Sequence, residues 1–226
     1  MPERVAGTQP LGILGGTFDP VHRAHLHLAQ AALKQLRLGA VLWIPAGLPA
    51  HRQAPLAAAE HRLAMVRLAT AGDAAYAVDA GEATAAAPSF TVPTLERLRR
   101  QHGGERPLVL LVGADAFLGL ASWHRWQDIF GLAHVAVAAR PGAELSEQAM
   151  GAQLAEIFRS RWRGAAVDLA TSPAGAIVGF EIEPVEPPDL SATAVRALLR
   201  SGAPVPDDLL SPGVLDYIRR NHLYSN

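Results

Sequence analysis

Cysteine is absent from the 226 residues, and lysine is reduced to a single residue, Lys34, against arginines in every other basic position. Without cysteine there is no disulfide, no thiol nucleophile and no Cys-ligated zinc or iron–sulfur site. Lys34 stands in Leu33-Lys34-Gln35 and not in the Gly-Lys-Ser/Thr of a Walker-type phosphate loop, so that loop is excluded. Schiff-base chemistry is disfavoured for the same reason. Charge of one sign is lacking too: the formal net charge is −1, which provides no global field for nucleic acid or anionic lipid. No apolar run reaches bilayer length, since the one beginning at Leu108 meets Asp115 first. Residues 1–10 have no apolar core, do not read as a signal peptide, and are expected to be a flexible leader on a cytoplasmic protein.

Apolar residues make up 50% of the chain, enough for a proper core. Short apolar runs at 11–14, 40–44, 76–78, 108–112, 134–138 and 177–182 read as strands. Segments of helical period lie between and after them, at 24–36, 60–71, 94–102, 114–120, 146–159, 193–200 and 213–220. Strand-then-helix alternation predicts a Rossmann-like, doubly wound parallel α/β sheet, and the almost wholly apolar strands fit a sheet covered on both faces. Residues 11–226 are expected to form one domain, with 189–226 its small C-terminal helical subdomain.

The run Gly15-Gly16-Thr17-Phe18-Asp19-Pro20-Val21-His22-Arg23-Ala24-His25 follows the first strand. Ligands of open α/β sheets bind at the carboxyl ends of strands, and paired glycines let a polyanion approach the backbone. The dinucleotide fingerprint Gly-x-Gly-x-x-Gly is missing, which disfavours a nicotinamide-dependent dehydrogenase. His22 and His25 share one face of a helix's first turn. They are solvated imidazoles, metal ligands wanting a third partner, or an anion clamp; four phosphate-friendly features within ten residues favour the clamp. Near the end, Leu190-Ser191-Ala192-Thr193-Ala194-Val195-Arg196 opens another helix. Ser191 reads as its N-cap, or with Thr193 and Arg196 as a second anion site.

Together these segments resemble the nucleotidylyltransferase α/β family, whose pattern is Gly-Gly-Thr-Phe-Asp-Pro-x-His-x-Gly-His early and Ile-Ser-Ser/Thr-Thr-x-x-Arg late. Three further segments resemble its bacterial nicotinate-nucleotide adenylyltransferase branch. They are Ile44-Pro45-Ala46-Gly47-Leu48-Pro49-Ala50-His51-Arg52, Pro88-Ser89-Phe90-Thr91-Val92-Pro93-Thr94-Leu95, and Gly113-Ala114-Asp115 with Trp123-His124-Arg125-Trp126. The chain departs from the branch at Ala24 (Gly), Ala192 (Ser or Thr), Phe90 (Tyr) and Pro93 (often Asp).

The resemblance implies transfer of an adenylyl group from ATP to nicotinate mononucleotide, giving nicotinate adenine dinucleotide and pyrophosphate. It assigns Gly15, Gly16, Thr17, Phe18, His22, His25, Ser191, Thr193 and Arg196 to ATP, with His22, His25 and Arg196 as catalytic groups. His51, Arg52, Phe90, Thr91, Asp115 and Trp123 fall to the mononucleotide. Mg²⁺ is expected with ATP, with no protein ligand named, and no nucleic acid or membrane partner is implied. Nicotinamide mononucleotide or another phosphorylated acceptor, and a non-catalytic nucleotide-binding regulator, stand as the alternatives.

Overall fold

A computed structural model describes residues 8–49, 54–139, 145–164, 168–183, 190–206 and 208–225. Among the described residues there are eight strands: β1 (Leu11–Gly16), β2 (Ala40–Pro45), β3 (Leu48–Pro49), β4 (Tyr76–Val78), β5 (Pro88–Ser89), β6 (Leu108–Gly113), β7 (His134–Ala139) and β8 (Ile177–Glu181). The helices are α1 (Arg23–Gln35), α2 (Ala59–Thr70), α3 (Thr91–His102), α4 (Ala114–Leu118), α5 (Ile129–Leu132), α6 (Ala152–Arg161), α7 (Ala192–Ser201) and α8 (Pro212–Arg220).

Six strands form one sheet in the order β4-β2-β1-β6-β7-β8, every pair parallel. Counted within this sheet, the order is 3-2-1-4-5-6, the doubly wound arrangement. Successive side chains of a strand face opposite ways. Leu42, Ile44, Leu110 and Val135 therefore join α3, α5 and α6 in one core layer. Val41, Trp43, Leu111 and Ala136 join residues of α1, α2, α7 and α8 in the other. The C-terminal helical part seals this second layer: Val195, Val214 and Ile218 are buried in it, and Tyr217 meets His61 of α2 through a 3.0 Å hydrogen bond.

The register shows where the sheet parts. β1 pairs with β2 as far as Gly16↔Pro45, and β6 with β7 as far as Gly113↔Ala138. Between β1 and β6, however, pairing stops at Ile13↔Leu110. The two strands diverge beyond that point, and a cleft opens at their carboxyl ends.

Some element boundaries differ from the sequence expectation. α3 begins at Thr91 instead of 94, because Pro93 sits in the first helical turn, where its missing N–H is not needed. The helix expected over 146–159 is a short 3₁₀ turn at Glu147–Ala149 followed by α6, with Gly151 as N-cap between them. β3, β5 and α5 were not anticipated.

Candidate active site

The glycine turn is built on close approaches. A Cβ on Gly16 would lie 2.9–3.2 Å from ring carbons of Phe18, whose own backbone is left-handed (φ 51°) so that its ring folds under the turn. A Cβ on Gly15 would meet nothing within 4 Å: that position faces the open cleft. The Gly16 carbonyl accepts from the Ala46 N–H (2.9 Å) and the Thr17 carbonyl from Arg62 (2.8 Å). The Thr17 and Phe18 N–H groups bond no described residue, so they are placed as donors for a ligand.

Two cavities meet at this turn and share Gly15, Gly16, Thr17, Leu111, Val112, Ala116 and Trp123. One, of about 750 Å³, is walled by Phe18, His25, Ser191, Thr193, Arg196 and Arg200. The other, of about 350 Å³, is walled by Phe90, Thr91, Asp115, Glu82, Ser89 and His124. The two motif sets, far apart in sequence, thus face each other across the split in the sheet. His51 and Arg52 lie outside the described residues.

On the larger side, the backbone N–H of His22 donates to His25 Nδ1 (3.2 Å). The neutral ring therefore carries its proton on Nε2. Phe18 packs edge-on against the same ring, centroids 5.0 Å apart. Arg196 is steered by two bonds, Nη1 to the Asp19 carbonyl (2.7 Å) and Nη2 to Thr193 Oγ1 (3.2 Å). Its Nε is buried and meets no acceptor among the described residues, while the residue itself lines the larger cavity. Ser191 caps α7 by accepting the Ala194 N–H (3.2 Å), which still leaves its own O–H to donate.

His22 is placed differently from its expected position beside the ligand. It is 6% exposed, lines neither cavity, and stacks against His25 at 3.9 Å between centroids. Burial lowers its pKa from 6.5 to about 4. The unfolded chain binds this proton near pH 6.5 and the fold only near 4, so the stability His22 contributes is complete above 6.5 and is lost as pH falls toward 4. Linkage puts the loss at roughly 3 kcal/mol over that window. Urea unfolding of wild type and His22→Gln from pH 7 to 4 should show the wild type losing about that much more. Parallel curves for the two proteins would mean that the folded state protonates His22 freely.

On the smaller side, α3 starts at Thr91 in the cavity wall, and Phe90, its N-cap, meets the His124 ring at 4.9 Å. Asp115 lies in the first turn of α4. Glu82 accepts the Thr94 hydroxyl (2.6 Å), and burial pushes its carboxyl pKa up.

Sequence reasoning missed Arg62, Asp19 and Tyr224. Asp19 is 4% exposed and accepts from the Leu56 N–H (2.8 Å), the Ala57 N–H (3.1 Å) and the Tyr224 hydroxyl (2.7 Å). A charged residue on the apolar face of α2, beside Leu63 and Val66, was the available signal for Arg62.

A parallel sheet split at its switch point, with a glycine turn and an arginine-bearing helix on the wall of one cavity, defines a nucleotide-binding α/β class. The model of the cytidylyltransferase-like family matches residues 13–198. The chain belongs to that family and is a nucleotidyltransferase. A protein of Dechloromonas aromatica described as "Probable nicotinate-nucleotide adenylyltransferase" is 51% identical over 219 residues, 97% of this chain and 99% of its own. One of Laribacter hongkongensis with the same description is 44% identical over 218 residues, 95% and 94% of the two chains. Among solved structures, the Plasmodium falciparum nicotinic acid mononucleotide adenylyltransferase complexed with NaAD superposes with TM-score 0.70 at 15% identity, covering 96% and 97%.

Proposed function

We infer that this chain joins ATP and nicotinate mononucleotide into nicotinate adenine dinucleotide and pyrophosphate. The observation that carries the reading is that the two cavities meet at Gly15, Gly16 and Thr17. Two phosphorylated ligands, one in each, would bring their phosphates together at one backbone turn. The relatives described as nicotinate-nucleotide adenylyltransferases, matched over nearly their full length, supply the acceptor's identity.

A mononucleotide phosphate, largely dianionic at pH 7, is its own nucleophile and needs no general base. One of its oxygens forms a bond to the ATP α-phosphorus as the α–β bridging P–O bond breaks in line. The electron pair leaves on pyrophosphate, and no proton is transferred. The protein's contribution is positioning and charge stabilisation. The Thr17 and Phe18 N–H groups and His25 Nε2–H face the reacting phosphate, while Ser191, Thr193 and Arg196 take the β and γ phosphates. His22 backs the His25 ring. Phe90, Thr91 and Trp123 shape the pyridine pocket, Asp115 takes a ribose hydroxyl, and the α3 N-terminus at Thr91 offers N–H groups to the pyridine carboxylate. His51 and Arg52 are assigned to the mononucleotide phosphate. Mg²⁺ enters as MgATP; the Asp19 carboxylate, committed to three protein donors, is not spare for it. The reading places the protein in the cytoplasm and involves neither nucleic acid nor membrane; no helix among the described residues is long and apolar enough to cross one.

Pyrophosphate release from MgATP should be rapid with nicotinate mononucleotide and slow with nicotinamide mononucleotide. Equal rates would remove the acid preference, and ATP binding without release from either would favour the regulator.

A further inference from the structure

Arg62 is 1% exposed, and the other buried residues of its helix are Leu63, Met65, Val66 and Thr70. A guanidinium is tolerated in such a place only when its donors are satisfied. Here Nε donates to the Ala57 carbonyl (3.0 Å), Nη1 to those of Thr17 (2.8 Å) and Ala46 (2.5 Å), and Nη2 to that of Gly47 (2.7 Å). Thr17 belongs to the turn after β1, which both cavities share and which also carries Phe18 and Asp19 of the larger one. Ala46 and Gly47 belong to the loop after β2, and Ala46 lines only the smaller cavity. One planar, rigid fork thus grips both loops from beneath.

The tie continues across the Ala57 backbone, whose N–H, on the other side of the Cα, donates to the Asp19 carboxylate. Asp19 holds the Tyr224 hydroxyl and, through its carbonyl, Arg196. A continuous path of hydrogen bonds therefore links the acceptor loop, the glycine turn and the arginine of α7.

We propose that Arg62 is a positioning residue for the transfer step: it touches neither substrate but sets the gap between the loop serving ATP and the loop serving the acceptor. This rests on the assignment of the two cavities to donor and acceptor. Misplacing two reactants by about an ångström lowers the rate on the order of 10²-fold, although each ligand still meets its own loop intact. A guanidinium that served only folding would lower stability and leave turnover per folded molecule unchanged.

Arg62→Lys separates these. It keeps a cation beside Asp19, but an ammonium has three donors and no plane, so it cannot reproduce four bonds in one fork. Measured below its unfolding transition, the variant should show kcat reduced roughly 10- to 100-fold. The dissociation constants of MgATP and of nicotinate mononucleotide, each measured alone by calorimetry, should stay within about threefold. Unchanged kcat, or a loss matched by weakened binding of one substrate only, would overturn the proposal. If Arg62→Lys does not fold, Tyr224→Phe reads the same path from its Asp19 end. A kcat loss of about threefold or more with both dissociation constants held supports the proposal, and an unchanged kcat overturns it. Silence of the wild-type enzyme with this acceptor would instead overturn the assignment of the cavities, and the inference with it.

Discussion

Replacing His25 with alanine is expected to lower kcat by about 10²–10³-fold, the usual loss when one preorganised donor to developing charge is removed. The effect should fall on kcat more than on ATP affinity, because the charge that Nε2–H meets grows as the α-phosphorus is attacked. The geometry holds the ring in one orientation. The ring is clamped by Phe18 at 5.0 Å and His22 at 3.9 Å, and its tautomer is fixed by the 3.2 Å bond from the His22 N–H to Nδ1. His25→Asn should recover part of the loss if its amide reaches the same point, and His22→Gln should be far milder, since His22 lines neither cavity. Pyrophosphate release in single turnover distinguishes these cases. A His25→Ala enzyme within threefold of wild type would remove His25 from the reaction.

Much of the sheet was legible in the sequence for a physical reason. Strands such as Val41–Ile44 or Leu108–Val112 are buried on both faces, so they read as unbroken apolar runs between helical segments. What escaped was short or non-periodic. β3 and β5 have two residues each and pair with one another across 40 positions of chain (Leu48↔Pro88), so neither has a pattern to detect. Pro93 was read as preceding a helix when it lies inside the first turn of one.

The site divides along the same line. Gly15, Gly16, Phe90 and Asp115, which line the cavities, each sit at the end of a strand or the start of a helix, and Arg196 one turn into α7, where chemistry and local structure are written in the same few residues. Arg62 and Tyr224 escaped, because their partners at Thr17, Ala46 and Asp19 are 45, 16 and 205 residues away. His22 is a subtler case. Its spacing from His25 placed both on one helix face, as observed, but spacing does not distinguish the ring that meets the cavity from the ring that supports it.

Arg196→Met is expected to reduce kcat/KM for MgATP by about 10²-fold, with most of the loss in KM for the nucleotide. The two Nη groups, each with a second N–H beyond its protein bond, can give a phosphate two charge-assisted bonds, each worth about 1.5–3 kcal/mol. Lysine at this position would keep the charge and lose the fork, so Arg196→Lys should fall between the two. AMP provides the control, because it lacks the β and γ phosphates. Its dissociation constant should hardly change in Arg196→Met, while that of ATP rises on the order of 10²-fold. Equal weakening of AMP and ATP would place Arg196 at the α-phosphate, and would assign the pyrophosphate end to another cation on the same wall, for which Arg200, one turn further along α7, is available. The Asp19 carbonyl loses its partner in either variant, so thermal denaturation must accompany the binding data. A loss confined to ATP at unchanged Tm is the signature of a β- and γ-phosphate ligand; equal weakening of AMP and ATP means an α-phosphate contact where Tm is unchanged and a structural arginine where Tm falls.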